Sequence, residues 1–333
     1  MIRFDDERFL GQLSSAVDCR EVIESVVNGL IAGGVENVFF VGSGGTYANT
    51  WPYARLVQER STFPVFSVIA ADLVLTGHAS LGARSAVVVT SKSGTTEDVI
   101  AALEFCNAAG AHTIAFTNDA ESPIAKLASS AVSSAEGLWP FDIQHVLFAT
   151  SLMHRLGSFD DYGSFASSLA VLPSALLDLA RATDPIARSF AESHREADYY
   201  FLSGSGPLWA NTYIFSMCVL EEMQWLKTTR VEGAEFFHGS IELLEPDTSV
   251  FLLIGEDATR PVMERVRAFS ERVSQDVTVV DTRDFALPGI ATEHRALLSP
   301  LMMSVALQRY SSHLGDVRGH SLDLRRFYRV VDY

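Results

Sequence analysis

The chain has 333 residues, 48% hydrophobic and 20% charged, with 41 acidic against 25 basic side chains and a formal net charge of −16. This composition excludes a disordered, collagen-like or coiled-coil chain. The acidic excess, with no run rich in Lys or Arg, argues against binding nucleic acid or anionic membranes through bulk charge. At this length we expect two domains, because single cores rarely grow past about 250–300 residues.

The beginning of the chain lacks the basic-then-apolar order of a secretory signal. Apolar runs such as 86–89 and 250–254 have the length of strands and fall far short of the ~20 residues of a membrane helix. Cys19, Cys106 and Cys218 are odd in number and widely spaced, which is typical of reduced core thiols. We therefore expect a cytoplasmic protein with no membrane span.

The predicted elements, in chain order, alternate between strands and helices. The first 35 residues suffice for one or two helices, and a strand, a Gly-Ser-Gly turn and a helix follow from residue 38. Strand patterns then recur at 65–68, 86–90 and 112–116, with helical patterns near 70–75 and 97–109 between them. This alternation predicts an α/β fold with a parallel sheet.

An internal repeat predicts a second unit of the same kind. Residues 38–50 carry Gly-Ser-Gly and Ala-Asn-Thr segments that recur, 162 residues later and without a gap, at 200–212. The second unit continues with strands near 250–254 and 277–280, a helix over about 260–273 and a further helix near 295–313. Between the units, residues 145–195 show only helical spacing. The predicted organisation is an N-terminal helical segment (1–35), a first domain (36–158), a helical linker (159–195) and a second domain (196–333).

The segment Ser91-Lys92-Ser93-Gly94-Thr95-Thr96 lies between a predicted strand and a helix. Free backbone N–H groups at the start of a helix bind anions, and hydroxyls and a lysine strengthen such a site. The segment predicts a phosphate site; the alternative is a group of helix-capping hydroxyls. The second copy has acidic Glu256 and Asp257 at the comparable strand end, so only the first copy is equipped for an anion.

The turn Gly42-Ser43-Gly44-Gly45-Thr46 matches neither a dinucleotide fingerprint nor a P-loop. It is compatible either with a ligand-binding loop or with a simple tight turn from strand to helix. No serine hydrolase elbow is present in the sequence.

Two adjacent carboxylates interrupt an otherwise apolar helix predicted over 211–226. Glu222 lies on the apolar stripe of this helix, where a carboxylate is suited to proton transfer. The alternative is a paired structural carboxylate, which explains Glu221 better than Glu222. Downstream, Glu232, Glu235 and His238 lie among glycines, and histidine exchanges protons near neutral pH. The sequence shows no metal-ligand spacing, and the histidines other than His238 are assigned structural roles.

These motifs together resemble the tandem sugar isomerase (SIS) domain proteins over roughly residues 20–333. The features that carry the resemblance are the segments 42–47 and 91–96, and Glu222 followed sixteen residues later by His238-Gly239. The chain is most similar to the fructosamine-6-phosphate deglycases, which end in an Arg-Arg-aromatic tail like Arg325-Arg326-Phe327, and to the isomerase half of glucosamine-6-phosphate synthase. The resemblance implies two doubly wound parallel-sheet domains with three α/β/α layers.

The resemblance also implies residue roles. Glu222 would move a proton between C1 and C2 of a sugar, His238 would assist ring opening from a neighbouring subunit of a homodimer, and Glu235 and Arg326 are possible orienting residues. The implied phosphate ligands are Thr46, Ser91, Lys92, Ser93 and Thr96, with glycine turns at Gly44, Gly45 and Gly94. Arg326 falls near the lysine that the synthase uses, but arginine is a poor Schiff-base nucleophile, which weakens a synthase-like mechanism.

The implied activity is hydrolysis of a 6-phosphorylated fructose–amine conjugate to glucose 6-phosphate and a free amine, without cofactor or metal. An aldose–ketose isomerase or aminosugar-phosphate deaminase and a non-catalytic phosphosugar sensor remain alternatives. The presence of both Glu222 and His238 favours an enzyme over a sensor. The leaving amine is left open, with Arg325, Arg329, His320 and Trp139 as candidate contacts.

Overall fold

Two parallel β-sheets form the framework of the structure, a computed structural model that describes residues 1–328 and 330–331. The chain divides into two compact units. The N-terminal unit comprises Asp6–Ser174 with Gly289–His294, and the C-terminal unit comprises Met1–Asp5, Ala175–Pro288 and the residues from Arg295 onward. The predicted α/β class with parallel sheets is confirmed.

The strands of the two sheets are β1 (Asn37–Gly42), β2 (Val65–Ile69), β3 (Ser85–Ser91), β4 (His112–Thr117), β5 (Ser130–Ser133), β6 (Tyr199–Gly204), β7 (Lys227–Glu232), β8 (Ser249–Ile254) and β9 (Asp276–Asp281). The helices are α1 (Asp6–Asp18), α2 (Arg20–Ala32), α3 (Gly44–Arg60), α4 (Ala70–Thr76), α5 (Glu97–Ala108), α6 (Pro123–Leu127), α7 (Trp139–Arg155), α8 (Tyr162–Ser168), α9 (Leu172–Ser193), α10 (Leu208–Ile214), α11 (Arg260–Val273) and α12 (Thr292–Val317). A π-helical segment, Phe215–Glu221, continues directly from α10.

The sheet of the N-terminal unit has the order β2-β1-β3-β4-β5, and every pairing is parallel. Every residue of β1 and β3 is buried, because helices cover both faces of a parallel sheet and its central strands become continuous apolar runs. On one face, Phe39 and Val87 pack with Leu103 of α5 in a core of fully buried side chains. The continuous apolar runs in the sequence are therefore the feature that places these two strands in the centre of the sheet.

The sheet of the C-terminal unit has the order β7-β6-β8-β9, again with parallel pairings throughout. Its core joins Phe201 and Leu252 of the sheet to Val266 of α11 and to Phe236. The first three strands of each unit thus have the same arrangement, since β6 is flanked by β7 and β8 just as β1 is flanked by β2 and β3.

Three elements differ from the sequence prediction. The edge strands β5 and β7 were not predicted, because Ser130–Ser133 and Lys227–Glu232 are rich in polar residues and lack an apolar run. The helix predicted over 211–226 is α-helical only to Ile214 and then becomes π-helical, a change that leaves the apolar pattern of the sequence unaltered.

Two sequence expectations about the helices and thiols can be compared with the structure directly. The continuous helical stretch Tyr162–Ser193 is long and apolar enough to cross a membrane by length and composition, and 56% of its apolar window is buried, as in the core helix of a soluble protein. Cys19, Cys106 and Cys218 are free thiols, the first two buried and the third half-buried. Burial raises the pKa of the Cys106 thiol to about 12, as expected of an unreactive core residue.

Candidate functional site

The glycine turn after β1 and the loop after β3 leave the same edge of the N-terminal sheet. Strands β1 and β3 are direct neighbours, with Val41 opposite Val89, and the chain turns to β2 on the other side of β1. Ligands of doubly wound sheets bind at such a switch point, beyond the carboxyl ends of the strands. The two segments that the sequence singled out, 42–46 and 91–96, are therefore adjacent at the position where this fold binds ligands.

The loop 91–96 is organised by its own hydroxyl groups. The Oγ of Ser91 accepts the N–H of Gly94 at 3.1 Å and lies 3.0 Å from the Oγ1 of Thr96. The Oγ of Ser93 accepts both the N–H and the hydroxyl of Thr95, at 3.3 and 2.9 Å. Thr96 precedes the first residue of α5 without capping its amides by its side chain. The N–H of Val99 bonds to the carbonyl of Thr96 at 3.1 Å, and the two N–H groups before it are left for another acceptor.

Gly94 cannot be replaced without moving the loop. Its φ is +64°, a left-handed conformation that favours glycine. A Cβ at this position would lie 2.2 Å from the Cβ of Ser122, at the start of α6. The sharp turn brings the backbone of the loop against this second wall, so glycine is required here on two independent grounds.

The glycine turn after β1 has a different set of contacts. Gly44 has a φ of +57° and opens α3 together with Gly45. The hydroxyl of Thr46 donates to the carbonyl of Ser43 at 3.0 Å. The Oγ of Ser43 itself is buried and has no hydrogen-bond partner in the described part of the chain. A buried hydroxyl without a partner costs free energy, which marks this turn as a place where a polar group is needed.

Lys92 has a protein partner outside the loop. Its Nζ lies 3.3 Å from the carboxylate of Glu136, and its side chain is 49% exposed. Arg8 of α1 pairs with the same carboxylate at 3.4 Å. Lys92 is thus part of an exposed ion-pair group, whereas Ser91, predicted for the same role, is 2% exposed.

Sequence reasoning missed a buried polar network next to this loop. Thr90, the residue before Ser91, lies with its Oγ1 2.9 Å from Nε2 of His145, and Nδ1 of His145 lies 2.9 Å from Oδ1 of Asn49. The amide of Asn49 donates to Oδ1 of Asp142 at 2.8 Å, and the hydroxyl of Tyr53 donates to the same oxygen at 2.9 Å. The signal in the sequence was an Asp and a His three residues apart on the otherwise apolar helix α7.

Burial shifts Asp142 and His145 of α7 toward their neutral forms. It raises the pKa of Asp142 to about 6, although the hydrogen bonds from Tyr53 and Asn49 act in the opposite direction. It lowers the pKa of His145 to about 3. At neutral pH the network therefore contains a neutral imidazole and an ionised carboxylate.

In the C-terminal unit, Glu222 follows the π-helical segment directly. Its N–H bonds to the carbonyl of Met217, five residues earlier, which is the π-helical spacing. The Nε of Arg325 donates to Oε1 of Glu222 at 2.8 Å, and the two side chains are 18% and 29% exposed. The tail residue that contacts this carboxylate is thus Arg325 rather than Arg326, which the resemblance indicated as an orienting residue.

Glu221, by contrast, accepts three hydrogen bonds on one of its carboxylate oxygens. Its Oε1 accepts hydrogen bonds from Arg230 at 2.8 Å, from Thr228 and, at 3.4 Å, from Ser216. The guanidinium of Arg230 also lies 4.8 Å from the ring centroid of Tyr213. These contacts fit the structural role that was expected for Glu221.

His238 and Glu235 are both exposed in the single chain. The N–H of His238 donates to the backbone carbonyl of Glu235 at 3.0 Å. The imidazole makes no hydrogen bond to any described residue, so the structure does not bring it to Glu222 within one chain.

The tail of the C-terminal unit packs on the residues that follow Glu222. Trp225 has a φ of +54°, which is strained for a bulky side chain and is typical of functional sites. The guanidinium of Arg326 lies 4.1 Å from its ring centroid, and the ring of His320 lies edge-on at 4.5 Å. The amide of Gln224 donates to the carbonyl of His320 at 3.0 Å.

Two further residues, Trp139 and Arg329, were candidate contacts for a leaving group. Trp139 belongs to the N-terminal unit, where its ring packs edge-on against Phe9 at 4.8 Å. Arg329 lies outside the described residues. His320 and Arg325 are therefore the described tail residues that remain candidate contacts for the leaving group.

The second glycine turn has an acidic partner from its own unit. One carboxylate oxygen of Glu232 accepts the hydroxyl of Ser205 at 2.6 Å and the N–H of Gly206 at 3.2 Å, and the other accepts the N–H of Ala234 at 2.6 Å. Among the described residues, no group of three His, Cys, Asp or Glu side chains is arranged to hold a metal ion.

A switch-point site of this kind occurs in many doubly wound α/β proteins. Residues 34–137 match the sequence profile of the SIS domain, which confirms the resemblance that the motifs indicated for this part of the chain.

The similarity to individual proteins extends over both units. The chain is 28% identical to fructosamine deglycase FrlB of Bacillus subtilis, over 90% of this chain and 93% of the relative. It is also 28% identical to fructoselysine 6-phosphate deglycase of Escherichia coli O157:H7, over 94% of this chain and 91% of the relative.

A solved structure extends the comparison to a more distant protein. The C-terminal domain of glucosamine-fructose-6-phosphate aminotransferase from Francisella tularensis superposes with a TM-score of 0.82, over 95% of this chain and 96% of that domain. At 12% identity this likeness concerns the fold alone. It confirms the predicted relation of the whole chain, and not only of residues 34–137, to this architecture.

Proposed function

We propose that this protein is a deglycase that hydrolyses a 6-phosphorylated fructose–amine conjugate to glucose 6-phosphate and a free amine or amino acid. One observation carries the proposal. The similarity to two proteins named as deglycases spans at least 90% of this chain and of each relative, so it includes both the unit with the loop 91–96 and the unit with Glu222.

The phosphate of the substrate would bind at the loop 91–96. The hydroxyls of Ser91, Ser93 and Thr96 surround the start of α5, a helix of 12 residues whose N-terminal N–H groups and dipole attract an anion. Thr46 and the buried hydroxyl of Ser43 line the neighbouring strand end. This arrangement holds an anion locally in a chain whose net charge of −16 repels one.

Glu222 would carry the proton between C1 and C2. Removing a proton from C1 of the open-chain conjugate, with protonation of the C2 oxygen, gives an enaminol, and protonation at C2 then gives an imine at C1. Addition of water to this imine releases the amine and leaves the aldehyde of glucose 6-phosphate. The nitrogen of the substrate accepts the charge in these steps, so a Schiff base with the protein is not required.

The composition of the tail supports hydrolysis rather than amine transfer. By the resemblance, Arg326 falls near the lysine of a synthase-like mechanism, and a guanidinium stays protonated and is a poor nucleophile. The ion pair of Arg325 with Oε1 of Glu222 leaves Oε2 without a hydrogen-bond partner among the described residues. That second oxygen is the one that we assign to the proton at C1.

We further propose a cytoplasmic homodimer in which His238 of one subunit assists ring opening in its neighbour. The exposure of His238 and the absence of a side-chain partner within the described chain support this role. Glu235, whose carbonyl accepts the N–H of His238, would orient the segment through its backbone.

The test is release of glucose 6-phosphate, followed with a coupled dehydrogenase, from a panel of 6-phosphofructosyl amino acids. Fructose 6-phosphate and glucosamine 6-phosphate serve as controls. Release from a conjugate is the expected result, and the relative rates rank the leaving amines. Turnover of a control alone would replace the proposal by an isomerase or deaminase, and binding without any turnover would replace it by a sensor.

A further inference from the structure

We propose that Asn49 is a positioning residue for the phosphate site, through the buried network that joins Thr90, His145, Asn49, Asp142 and Tyr53. The inference rests on the proposed role of the loop 91–96 in binding the phosphate group, and not on the deglycase reaction. It concerns residues that sequence reasoning left without a function.

The hydrogen bonds of this network run in one direction. An ionised Asp142 can only accept, so the amide nitrogen of Asn49 faces it and the carbonyl oxygen of Asn49 faces His145. Nδ1 of His145 must then be the protonated nitrogen, and Nε2 accepts the hydroxyl of Thr90. Each member has its donors and acceptors fixed by the next, and Asn49 joins the two titratable members by donating to Asp142 and accepting from His145.

Burial makes this network sensitive to the loss of any member. Asp142 is 3% exposed, and Thr90 and His145 are 0% exposed. A buried polar group that loses its partner retains the full cost of its desolvation. Removing Asn49 would leave the imidazole N–H of His145 without a partner and the carboxylate of Asp142 with the hydroxyl of Tyr53 alone. The surrounding side chains must then move or admit water.

The network connects the two loops that form the proposed phosphate site. Thr90 is the residue before Ser91 at the end of β3, and Asn49 lies on α3, three residues after Thr46. Both are bonded to α7, which carries Asp142 and His145. The network therefore fixes the start of α3 and the end of β3 against one common helix, and with them the spacing of Thr46 and Ser91.

The second repeat supplies a matched control. Asn211 occupies the position equivalent to Asn49, and its amide donates to the carbonyl of Pro300 and to the hydroxyl of Ser304, each at 3.0 Å. Both partners lie on α12, the long helix of that part of the chain. This contact also ties a helix in place, but it is remote in sequence from the loop 91–96 and contains no titratable group.

The experiment measures the affinity of the full-length protein for glucose 6-phosphate by titration calorimetry, in the wild type, Asn49→Ala and Asn211→Ala. We expect an affinity at least about 10-fold weaker in Asn49→Ala and an affinity within about 2-fold of the wild type in Asn211→Ala. All variants are measured at a temperature where circular dichroism shows them folded.

A charge-swapped pair separates positioning from general stability. Asn49→Asp places two carboxylates against each other and should weaken binding as Asn49→Ala does. Combining it with Asp142→Asn restores the bonds between positions 49, 142 and 145, because the acid at position 49 accepts from His145 and from the NH2 group at position 142. That NH2 group takes the place of the shared Oδ1, and its second N–H can be accepted by the hydroxyl oxygen of Tyr53. We expect the double variant to bind glucose 6-phosphate within about 3-fold of the wild type.

The outcomes are distinct. Unchanged binding in folded Asn49→Ala, or equal weakening in Asn211→Ala, would overturn the positioning role and leave the phosphate site intact. A double variant that is as stable as the wild type but still binds weakly would also overturn it. A wild-type protein that binds no phosphosugar would instead overturn the proposed function itself.

Discussion

The two glycine turns of the repeat share their sequence but differ in their partners. In the second turn, the carboxylate of Glu232 satisfies the hydroxyl of Ser205 and the N–H of Gly206. In the first, the hydroxyl of Ser43 has no partner among the described residues. Both copies of the repeat thus have a turn whose backbone is suited to an anion. In the second copy, the carboxylate of Glu232 is that anion.

The helices that follow the two turns diverge as well. Both contain Ala-Asn-Thr, but α3 continues as an α-helix to Arg60, whereas α10 becomes π-helical after Ile214. The copy with the internal carboxylate is the one that carries Glu222. This difference is compatible with the proposal that the first copy binds the phosphate and the second supplies proton transfer.

The largest expected effect concerns proton transfer by the second copy. We expect Glu222→Gln to lower the rate of glucose 6-phosphate release by at least ~100-fold, the usual effect of losing a general acid or base, with little change in phosphosugar affinity. His238→Ala should act similarly. Glu221→Gln is the matched control, since its carboxylate is bonded to Arg230 and Thr228, and it should lower the melting temperature more than the rate. Near-normal turnover in Glu222→Gln would remove the site assignment.

The next largest expected effect concerns phosphate binding by the first copy. Ser93→Ala should weaken binding of glucose 6-phosphate about 10-fold, because a hydrogen bond to a charged group contributes about 1.5–3 kcal/mol. Ser205→Ala, in the turn where Glu232 is the partner, should leave the affinity unchanged. Calorimetric titration distinguishes the two, and equal losses in both variants would contradict the division between the copies.

The role of the Glu232 carboxylate in the second turn can be tested by measuring the stability of the protein without it. Glu232→Gln weakens the bonds from Ser205, Gly206 and Ala234, and we expect it to lower the free energy of unfolding by about 1–2 kcal/mol in urea titrations. The exposed Glu242→Gln serves as the control. A variant of unchanged stability would mean that this carboxylate is not needed in the second turn.

The smallest expected effect is a pH dependence of the unfolding free energy, which the contacts of Asn49 should show and those of Asn211 should not. The pKa of Asp142 is raised to about 6, so its contribution to stability grows as the pH falls through 6 toward the unfolded value of 3.8. The pKa of His145 is lowered to about 3, so its contribution is lost as the pH falls below 6.5. Between pH 7 and 5 the two largely cancel.

Substituting either Asp142 or His145 should reveal the pH dependence that the other one contributes to stability. Relative to the wild type, we expect His145→Gln to gain and Asp142→Asn to lose about 1 kcal/mol of unfolding free energy between pH 7 and pH 5. Asn211→Ala, whose contacts contain no titratable group, should show no such slope. Parallel slopes in the two N-terminal variants would contradict the assigned charge states.

The sequence predicted most of the fold because buried parallel strands are continuous apolar runs, as in β1, β3 and β8. It missed β5 and β7 because edge strands are not selected for apolar residues on both faces. In the site, hydroxyls in a loop before a helix gave a recognisable signal. Partners such as Arg325 for Glu222, or Asn49 for Asp142, did not, because they are brought together by pairings more than 90 residues apart in the chain.

The π-helical segment has a consequence for comparing this protein with others. A π turn contains one residue more than an α turn, so deleting a single residue from Phe215–Glu221 would let the helix close normally and would turn Glu222 by about 100° around its axis. Such a deletion variant would retain both glutamates and every motif in its sequence, yet present neither carboxylate as it is presented here. For relatives of this chain, the length of this one segment is therefore as informative about activity as the identity of any residue in it.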